Sequence, residues 1–309
     1  MALQDSSYKA YENMFIAGYN QLAKLREGGI VRSRPYKDIA INSDFSTVQF
    51  IGKASLKKKT TLFEEQNLNV VQHSVRFMSH DTYGEELGLE SDNAIRMVGD
   101  PKGAYLQLLF DASSLKKDQI FLKAIFADAR SGKQGATIVP FDSNNIIAVN
   151  ATDKFTGGTP TQLTPSKIML MLEKAATNNV DNAASGRMHG VITRKHLNDL
   201  KTFVASNNFV MTNVDFNPSI SMSAGGEETF VWEGITFHIV SPELLELDGS
   251  GNYKLPFWYE TGMQFGVTTS PSVKIEYLTQ RYQSHAINFL ERFGATRLEE
   301  SKCFQILAS

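Results

Sequence analysis

Residues 100–130 read DPKGAYLQLLFDASSLKKDQIFLKAIFADAR, and this stretch carries the strongest structural signal in the chain. Asp100 is a favoured N-cap residue, and Pro101 suits the first helical position because its missing N–H would be unpaired there. The pattern predicts a helix of roughly 45 Å, with two shorter helices, bent at Ser113-Ser114, as the alternative. Its apolar side chains recur at alternating spacings of three and four residues, with Gln119 in one slot: Tyr105, Leu108, Ala112, Leu115, Leu122 and Phe126.

A second helical period lies near the N-terminus. Its positions are Tyr8, Tyr11, Phe15, Gly18 or Tyr19, Leu22 and Leu25. Glu27-Gly28-Gly29 ends the period, as glycine commonly ends a helix. Residues 30–41 show no period and contain Pro35, so they predict an extended arm.

Two strand-like runs flank a long polar segment. Residues 46–54 alternate loosely, residues 70–78 form the second run, and Lys57-Lys58-Lys59 lies between them. The connection is longer than an ordinary turn, so the pattern predicts a protruding hairpin. A hairpin without a third strand is marginal alone, so we expect it to lie on another surface.

The rest of the chain alternates between strand and helix signals. We expect strands at 136–139, 146–149 and 189–193, a hairpin at 230–240 around Glu233-Gly234, and a turn at 248–252. Thr164-Pro165 opens one helix by the cap logic used above, and residues 194–203 predict another. Alternation at 273–277 is followed by a run that we expect Gly294-Ala295 to break. The whole predicts an α+β protein, with two sub-domains expected at this length.

Composition excludes several classes of protein. The chain has 309 residues, 42% of them apolar and 10% aromatic, with a net charge of −2 and one cysteine. It is too apolar for disorder and cannot form an internal disulfide. No run approaches the length of a transmembrane span, and Met1–Asp5 lacks the features of a secretory signal. We therefore expect a soluble protein of a reducing compartment.

Charge is distributed unevenly along the chain. Residues 1–60 carry ten basic and five acidic side chains, a net +5, so the remaining 249 residues carry −7. A basic arm on an acidic body favours contact with a polyanion or with acidic neighbouring subunits. The alternative is a solvated arm without a partner.

Motifs for catalysis or metal binding are missing from the sequence. The six histidines are scattered, and there is no HExxH or paired-cysteine pattern. Ser131-Gly132-Lys133 lacks the upstream glycine of a phosphate-binding loop. We interpret the acidic pairs Glu64-Glu65, Glu85-Glu86 and Glu227-Glu228 as solvated loop residues, and Cys303 as a buried small hydrophobe. The sequence predicts no cofactor and no enzyme.

Taken in order, these features resemble the major capsid protein of tailed double-stranded DNA bacteriophages, the tailed-phage/herpesvirus capsid-floor fold. Each matching passage is weak alone, and their order and spacing across nearly the whole chain carry the resemblance. The passages are His73–Phe77, Asp81–Gly84, Gly99–Tyr105, Leu115–Ala124, Trp232–Ile235 and Phe293–Leu298.

The resemblance implies an α+β fold with four parts, in which a long spine helix crosses the peripheral domain and a central β-sheet builds the axial domain. The implied boundaries are 1–44 for the N-terminal arm, 45–84 for the extended hairpin loop, 85–180 with 270–295 for the peripheral domain, and 181–269 with 296–309 for the axial domain.

The resemblance also implies a function: self-assembly into hexamers and pentamers of an icosahedral shell around the double-stranded DNA genome. The hairpin would supply intersubunit contacts, for which the candidates are Lys57, Lys58, Lys59, Glu64 and Glu65. The basic arm would lie near packaged DNA and meet phosphates non-specifically, with candidates Lys24, Arg26, Arg32, Arg34 and Lys37.

Implied partners are other copies of the chain, a portal protein and a decoration protein, with no membrane. A separate scaffolding protein is also implied, because the hairpin begins too early for a large cleaved scaffolding segment. The implied location is the virion capsid, assembled in the host cytoplasm. The alternatives are an encapsulin-type compartment, a cytoplasmic α+β enzyme of unknown chemistry, and another virion component such as a tail sheath protein.

Overall fold

The fold is described from a computed structural model, which places residues 17, 29–33, 35–40, 45–51, 73–89, 101–181, 183–206, 221–222, 228–267, 271–278 and 284–309. Within these ranges the architecture is α+β, as the sequence predicts. Sixteen strands form three sheets in the described part of the chain, and three α-helices pack against them.

The long helix forms without interruption. Helix α1 (Pro101–Phe126) is 26 residues long, about 39 Å, and ends four residues earlier than the pattern suggests. The serine pair does not break it, because Ser113 Oγ donates to Glu291 Oε2 at 2.5 Å instead of competing for the helix backbone.

Two shorter helices also begin where the sequence predicts. In α2 (Pro165–Thr177), Thr164 Oγ1 accepts a hydrogen bond from the Lys167 N–H, which confirms the predicted N-cap. The third helix is α3 (Arg194–Ser206).

The strands are numbered in chain order. They are β1 (Lys37–Ala40), β2 (Phe45–Ile51), β3 (His73–Ser79), β4 (Asp81–Leu89), β5 (Ala129–Ser131), β6 (Thr137–Val139), β7 (Ile146–Ile147), β8 (Met188–Thr193), β9 (Ser221–Met222), β10 (Glu228–Trp232), β11 (Ile235–Val240), β12 (Tyr253–Tyr259), β13 (Met263–Val267), β14 (Ser272–Leu278), β15 (Ser284–Arg297) and β16 (Cys303–Ala308).

The largest sheet has the strand order β7-β16-β12-β8-β11-β10-β9. Its central strand β8 is buried at all six positions. The predicted hairpin between β10 and β11 is confirmed, and its turn residues Glu233 and Gly234 have φ of 50° and 74°. Positive φ at both turn positions matches the twist of the flanking strands, which is why this pair forms so tight a turn.

The second sheet contains β1-β13-β15-β14, with β4 also paired to β15. Its long strand β15 passes through Gly294, so the break expected at Gly294-Ala295 is wrong. A Cβ at Gly294 would lie 2.3 Å from the Ser79 carbonyl oxygen. The glycine is needed because another backbone approaches closely here, a role that glycine has within strands as well as in turns.

The predicted hairpin base is confirmed in the third sheet, with the order β2-β3-β5-β6. Strands β2 and β3 pair antiparallel, from Phe45 opposite Ser79 to Ile51 opposite His73. Strands β5 and β6 extend this pair, so the hairpin base has the additional strands that a two-stranded hairpin needs.

One contiguous apolar core joins α1, α2 and the two larger sheets. Phe121 of α1 lies edge-on to Trp258 of β12, with ring centroids 5.4 Å apart. Phe265 of β13 packs against both Phe121 and Phe293. The domain boundaries implied by the resemblance remain a prediction.

Candidate assembly surfaces and the junction that supports them

Most of the predicted contact residues lie outside the described part of the chain. This holds for all five hairpin candidates, Lys57, Lys58, Lys59, Glu64 and Glu65, and for Lys24, Arg26 and Arg34 of the arm. The backbone of Arg32 lies in a 3-10 turn over Ile30–Ser33. Lys37 is exposed in β1, which pairs with β13 at one end of the second sheet.

An arginine–glutamate junction holds the hairpin base to the C-terminal segment. Arg76 of β3 donates from Nε to the Leu298 carbonyl at 2.9 Å and from Nη2 to Glu300 at 2.5 Å. Glu300 also lies 3.6 Å from Nε of Arg297, which is fully buried. Glu300 therefore bridges two arginines, one from β3 and one from the end of β15.

Arg297 satisfies carbonyl groups at the end of the long helix. Its Nη1 donates to the carbonyls of Ile125 and Ala127 at 2.6 and 2.9 Å, and its Nη2 donates to that of Val139 at 3.1 Å. A guanidinium offers several donors in a rigid plane, so one side chain binds three carbonyls in two separate segments, the end of α1 and β6. The junction thus connects α1, β6, the hairpin base and the segment between β15 and β16.

A second polar cluster ties α1 to the middle of β15. Glu291 is almost completely buried and accepts hydrogen bonds from Ser113 Oγ at 2.5 Å and Lys117 Nζ at 2.7 Å. A buried carboxylate needs such partners, because an unpaired buried charge is very costly. The helix is therefore held against the sheet by charge as well as by apolar contacts.

The last residues of the predicted arm are seated on the body. Ile30 is fully buried, and the Val31 N–H donates to Asp118 Oδ1 at 3.0 Å. Trp258 Nε1 donates to the Pro35 carbonyl at 2.7 Å. The arm therefore meets the body next to α1, and β1 then adds a strand to the second sheet.

Several large apolar side chains remain exposed on the described surface: Phe45, Leu108, Leu115, Ile138, Phe155, Val231, Leu247 and Leu290. Val231 is 65% exposed near the tip of the β10–β11 hairpin, and Leu290 is on β15. Single exposed apolar residues are ordinary, but two of these share one helix face. That face, with Leu108 and Leu115, is a candidate contact surface.

Two buried histidines lie next to each other on β8 and β11 of the largest sheet. His189 Nδ1 is 3.1 Å from His238 Nε2, and His189 Nε2 is 3.2 Å from Glu260 Oε1. Burial lowers the pKa of both imidazoles to about 4, which favours their neutral forms at neutral pH. Within the described ranges, no three His, Cys, Asp or Glu side chains are grouped to hold a metal ion.

The thiol of Cys303 and the ammonium group of Lys167 are both enclosed by the fold. Cys303 is buried, and burial raises the pKa of its thiol to about 12, as expected for an inert cysteine. Lys167 Nζ donates to the carbonyls of Val149, Gln162 and Thr161 at 2.8 to 3.1 Å. Its ammonium group therefore joins the start of α2 to the preceding loop.

The loop assignment of two acidic pairs needs correction. Glu85 and Glu86 are exposed on β4, where they pair with β15, so they are strand residues. Glu228 begins β10 and forms an ion pair with Arg194, while Glu227 lies outside the described residues. Apolar and polar residues do not alternate clearly in β4, because most of its positions are exposed to solvent. The sequence pattern therefore did not predict this strand.

Sequence reasoning missed the junction residues Arg76, Glu300 and Arg297, as well as Glu291. The hydrogen-bond partners of Arg76 and Arg297 are between 158 and 224 positions away in the sequence. Only the placement of single charged residues within otherwise apolar strand patterns, as with Arg76 in β3, could have signalled them.

In the part of the chain that is described, no helix is both long and apolar enough to cross a membrane.

Comparison with known proteins identifies a family for this chain. A family model described as phage capsid protein matches residues 9–309. No curated protein matches the sequence significantly.

Solved structures show the same fold at low sequence identity. The capsid of Ralstonia phage GP4 is 11% identical, with 92% of each chain covered and a TM-score of 0.67. The capsid of cyanophage P-SCSP1u is 13% identical, covering 92% of this chain and 89% of that one, with a TM-score of 0.60. The SrpI encapsulin complex from Synechococcus elongatus is 8% identical, covering 90% and 86%, with a TM-score of 0.55.

These findings confirm the resemblance drawn from the sequence. The family model spans nearly the whole chain, and phage capsids share its fold. The chain belongs to the phage capsid protein family, and it is a structural component of a virion capsid, not an enzyme.

Proposed function

We propose that the chain is the major capsid protein of a tailed double-stranded DNA phage and assembles into hexamers and pentamers of an icosahedral shell. The family match over residues 9–309 carries this proposal. The described hairpin base supports it, because the contact between Arg76 and Glu300 attaches the paired strands β2 and β3 to the body, and residues 52–72 of the sequence connect these two strands. Such a connection is far longer than a turn needs to be.

We propose that the hairpin contacts a neighbouring subunit through Lys57, Lys58, Lys59, Glu64 and Glu65. Opposite charges on one loop suit a repeated contact between identical subunits, since each copy can supply both signs. The basic residues of the arm would face packaged DNA. Two of these residues are described beside the body: Arg32 lies in the 3-10 turn Ile30–Ser33, and Lys37 lies on β1.

The proposed partners are a separate scaffolding protein, a portal protein and a decoration protein, with assembly in the host cytoplasm. Packaged DNA would meet the arm through phosphates, so that contact should weaken as salt increases.

Electron microscopy of the purified full-length chain, with and without a co-expressed scaffolding protein, tests the proposal. We expect closed shells or isolated hexamers and pentamers. A stable monomer that never assembles, with a melting temperature that depends on a small ligand, would overturn the proposal in favour of an enzyme. Helical tubes would overturn it in favour of a sheath protein.

Two further measurements make the same experiment more specific. Reversing charge in Lys57→Glu/Lys58→Glu/Lys59→Glu should prevent shell closure, whereas the matched exposed set Lys195→Glu/Lys201→Glu/Lys274→Glu tests for a general effect of charge. Nuclease-protected double-stranded DNA inside particles from infected cells is expected for a phage shell. Particles that enclose only protein would favour an encapsulin-type compartment.

A further inference from the structure

The contact between Arg76 and Glu300 lies where the hairpin base leaves the body. The ladder between β3 and β5 includes Arg76 and Phe77, whereas the ladder between β3 and β2 continues to His73. Arg76 is thus the last residue of β3 that pairs with a third strand. The direction of β2 and β3 as they continue towards residues 52–72 therefore depends on how Arg76 is held.

The backbone of Glu300 is fastened to the body by two amide side chains. The Glu300 carbonyl accepts a hydrogen bond from Asn145 Nδ2 at 2.7 Å, and Asn145 is 2% exposed. Asn178, the C-cap of α2, donates to Asn145 Oδ1 at 3.1 Å and to the Ser301 carbonyl at 3.4 Å. The turn that begins at Glu300 is therefore held in place, and its carboxylate reaches from this fixed point to Arg76.

The junction leaves two buried donors without hydrogen bonds. Arg76 Nη1 and Arg297 Nε are buried, and neither has a hydrogen-bond partner among the described residues. Both carboxylate oxygens of Glu300 accept from one nitrogen, Arg76 Nη2, at 2.6 and 2.5 Å. An unsatisfied buried donor costs stability, and replacing a buried ion pair by apolar residues is often neutral or stabilising. A fixed geometry therefore explains this junction better than a gain in stability does.

We propose that Glu300 is a positioning residue for assembly, which fixes the direction of the hairpin base relative to the body. Asn145 in turn fixes Glu300. Arg76 binds two separate points, because its Nε donates to the Leu298 carbonyl and its Nη2 donates to Glu300. A planar guanidinium that is held at two points cannot turn freely about either contact.

The direction of the hairpin base matters for assembly because one contact recurs at every subunit of a ring. In a head-to-tail interface, the rotation between neighbours decides whether the ring closes. A hairpin base with several directions would give neighbours several rotations, so closed rings would become rare. This consequence rests on the proposed function, whereas the direction of the hairpin base can be measured in a single subunit.

Spin-label distances in the unassembled full-length chain test the proposal. Labels at Gln49→Cys on β2 and Lys123→Cys on α1, both exposed positions, report the direction of the hairpin base against the long helix. The native Cys303 is buried and should remain unlabelled. The added variant Arg76→Met/Glu300→Met removes both charges together, so neither is left without its partner. A released hairpin base moves against the body, so the distance distribution should widen about twofold.

A neighbouring ion pair provides the matched control. Lys302 Nζ lies 2.8 Å from Glu299 Oε1 in the same segment, and in the described part of the chain this pair forms no hydrogen bond to β2 or β3. Glu299→Met/Lys302→Met should leave the distribution unchanged. Equal widths for the native chain and a folded Arg76→Met/Glu300→Met variant would overturn the proposal. Equal widening in the control would also overturn it, because the whole segment would then have loosened.

Asn145→Ala provides a second test, which leaves Arg76, Arg297 and Glu300 in place. It removes the hydrogen bond to the Glu300 carbonyl. The distribution should therefore widen, but by less than in Arg76→Met/Glu300→Met. This variant decides the question if the double variant does not fold. An unchanged distribution in folded Asn145→Ala would overturn the proposal.

Electron microscopy of the same variants separates this proposal from the capsid assignment. We expect Arg76→Met/Glu300→Met to give several-fold fewer closed shells than Glu299→Met/Lys302→Met under conditions in which the native chain assembles. Equal yields of closed shells would overturn the role of the junction in assembly. A native chain that never assembles would instead contradict the proposed function, and the distance measurement would still decide whether Glu300 fixes the hairpin base.

Discussion

At the scale of single residues, Arg297 shows why a charged side chain is fully buried in this fold. Two of the carbonyls it binds, Ile125 and Ala127, lie at the C-terminal end of α1, where helix carbonyls lack backbone partners and attract cations. Glu300 offsets its charge. Removing a partner from such a buried cluster typically costs about 3–5 kcal/mol, because the other charge is left without compensation.

The buried histidines predict how stability depends on pH. Burial lowers the pKa of His189, His196 and His238 to about 4, and the His238 charge also lowers that of His189, whereas Glu260 opposes the shift. The unfolded chain binds these protons near pH 6.5, before the folded chain does. Stability is therefore complete above about pH 6.5 and falls as the pH decreases towards 4, by on the order of 3 kcal/mol per histidine.

Urea denaturation of the monomer at half-unit pH steps checks this expectation. His189→Gln removes one of the titrating groups, so its free energy of unfolding should fall less steeply between pH 6.5 and 4, whatever its value at pH 8. Identical slopes for the variant and the native chain would show that His189 is not charged selectively in the unfolded state.

At the scale of elements, strand β15 connects most of the second sheet. It pairs with β13, β14 and β4 along its 14 residues, and Glu291 fastens it to α1. Its passage through Gly294 depends on the close approach of Ser79. The strand therefore requires a missing side chain at one position to bring β3 and β4 against it.

Two glycines of this sheet give a matched pair of substitutions. Gly294→Ala should lower the free energy of unfolding by about 1–3 kcal/mol, because the new Cβ would overlap the Ser79 carbonyl. Gly88→Ala on β4 places its Cβ in open space and should be neutral or stabilising by about 0.5 kcal/mol. Guanidinium denaturation of both variants measures this difference. Equal effects would contradict the close-approach explanation.

At the scale of the whole molecule, the arm consists of two parts with different dependence on the body. Residues 30–40 are built into it through buried Ile30, the Trp258–Pro35 hydrogen bond and the β1–β13 ladder. Gly29, which directly precedes this part, lies against Asp118 of α1. A deletion that ends before Gly29 should therefore lower the stability of the subunit less than a deletion that extends beyond it.

Two truncations test this division. Deleting residues 2–28 should leave a cooperatively folding subunit, because the buried Ile30 and strand β1 remain. Deleting residues 2–44 should cost several kcal/mol more, since burying Ile30 alone contributes about 1.5–3 kcal/mol. Denaturant unfolding of both monomers gives the comparison, and size-exclusion chromatography confirms that each is monomeric. Equal stabilities would contradict the seating of residues 30–40.

Much of the secondary structure was predictable because its causes are local. Pro101 and Thr164-Pro165 start helices through hydrogen bonds and dihedral angles within one turn. Glu233-Gly234 makes a hairpin because both residues accept positive φ. The hairpin base was also predictable, since strand patterns on both sides of a long polar segment leave few other pairings. The contact role of residues 57–59, 64 and 65 in that hairpin is predicted from the sequence and the resemblance alone.

The sequence by itself determined that α1 is a long helix with a heptad stripe, but only the tertiary structure decided which of its faces is buried. Two apolar faces satisfy the helical period equally well, and the sheet selects the one with Phe121 and Ile125. Likewise, Gly294 lies within a strand because of a backbone 215 residues away. Local hydrogen bonding and dihedral preference act within a few residues, whereas burial and charge compensation depend on segments that meet only in the folded chain.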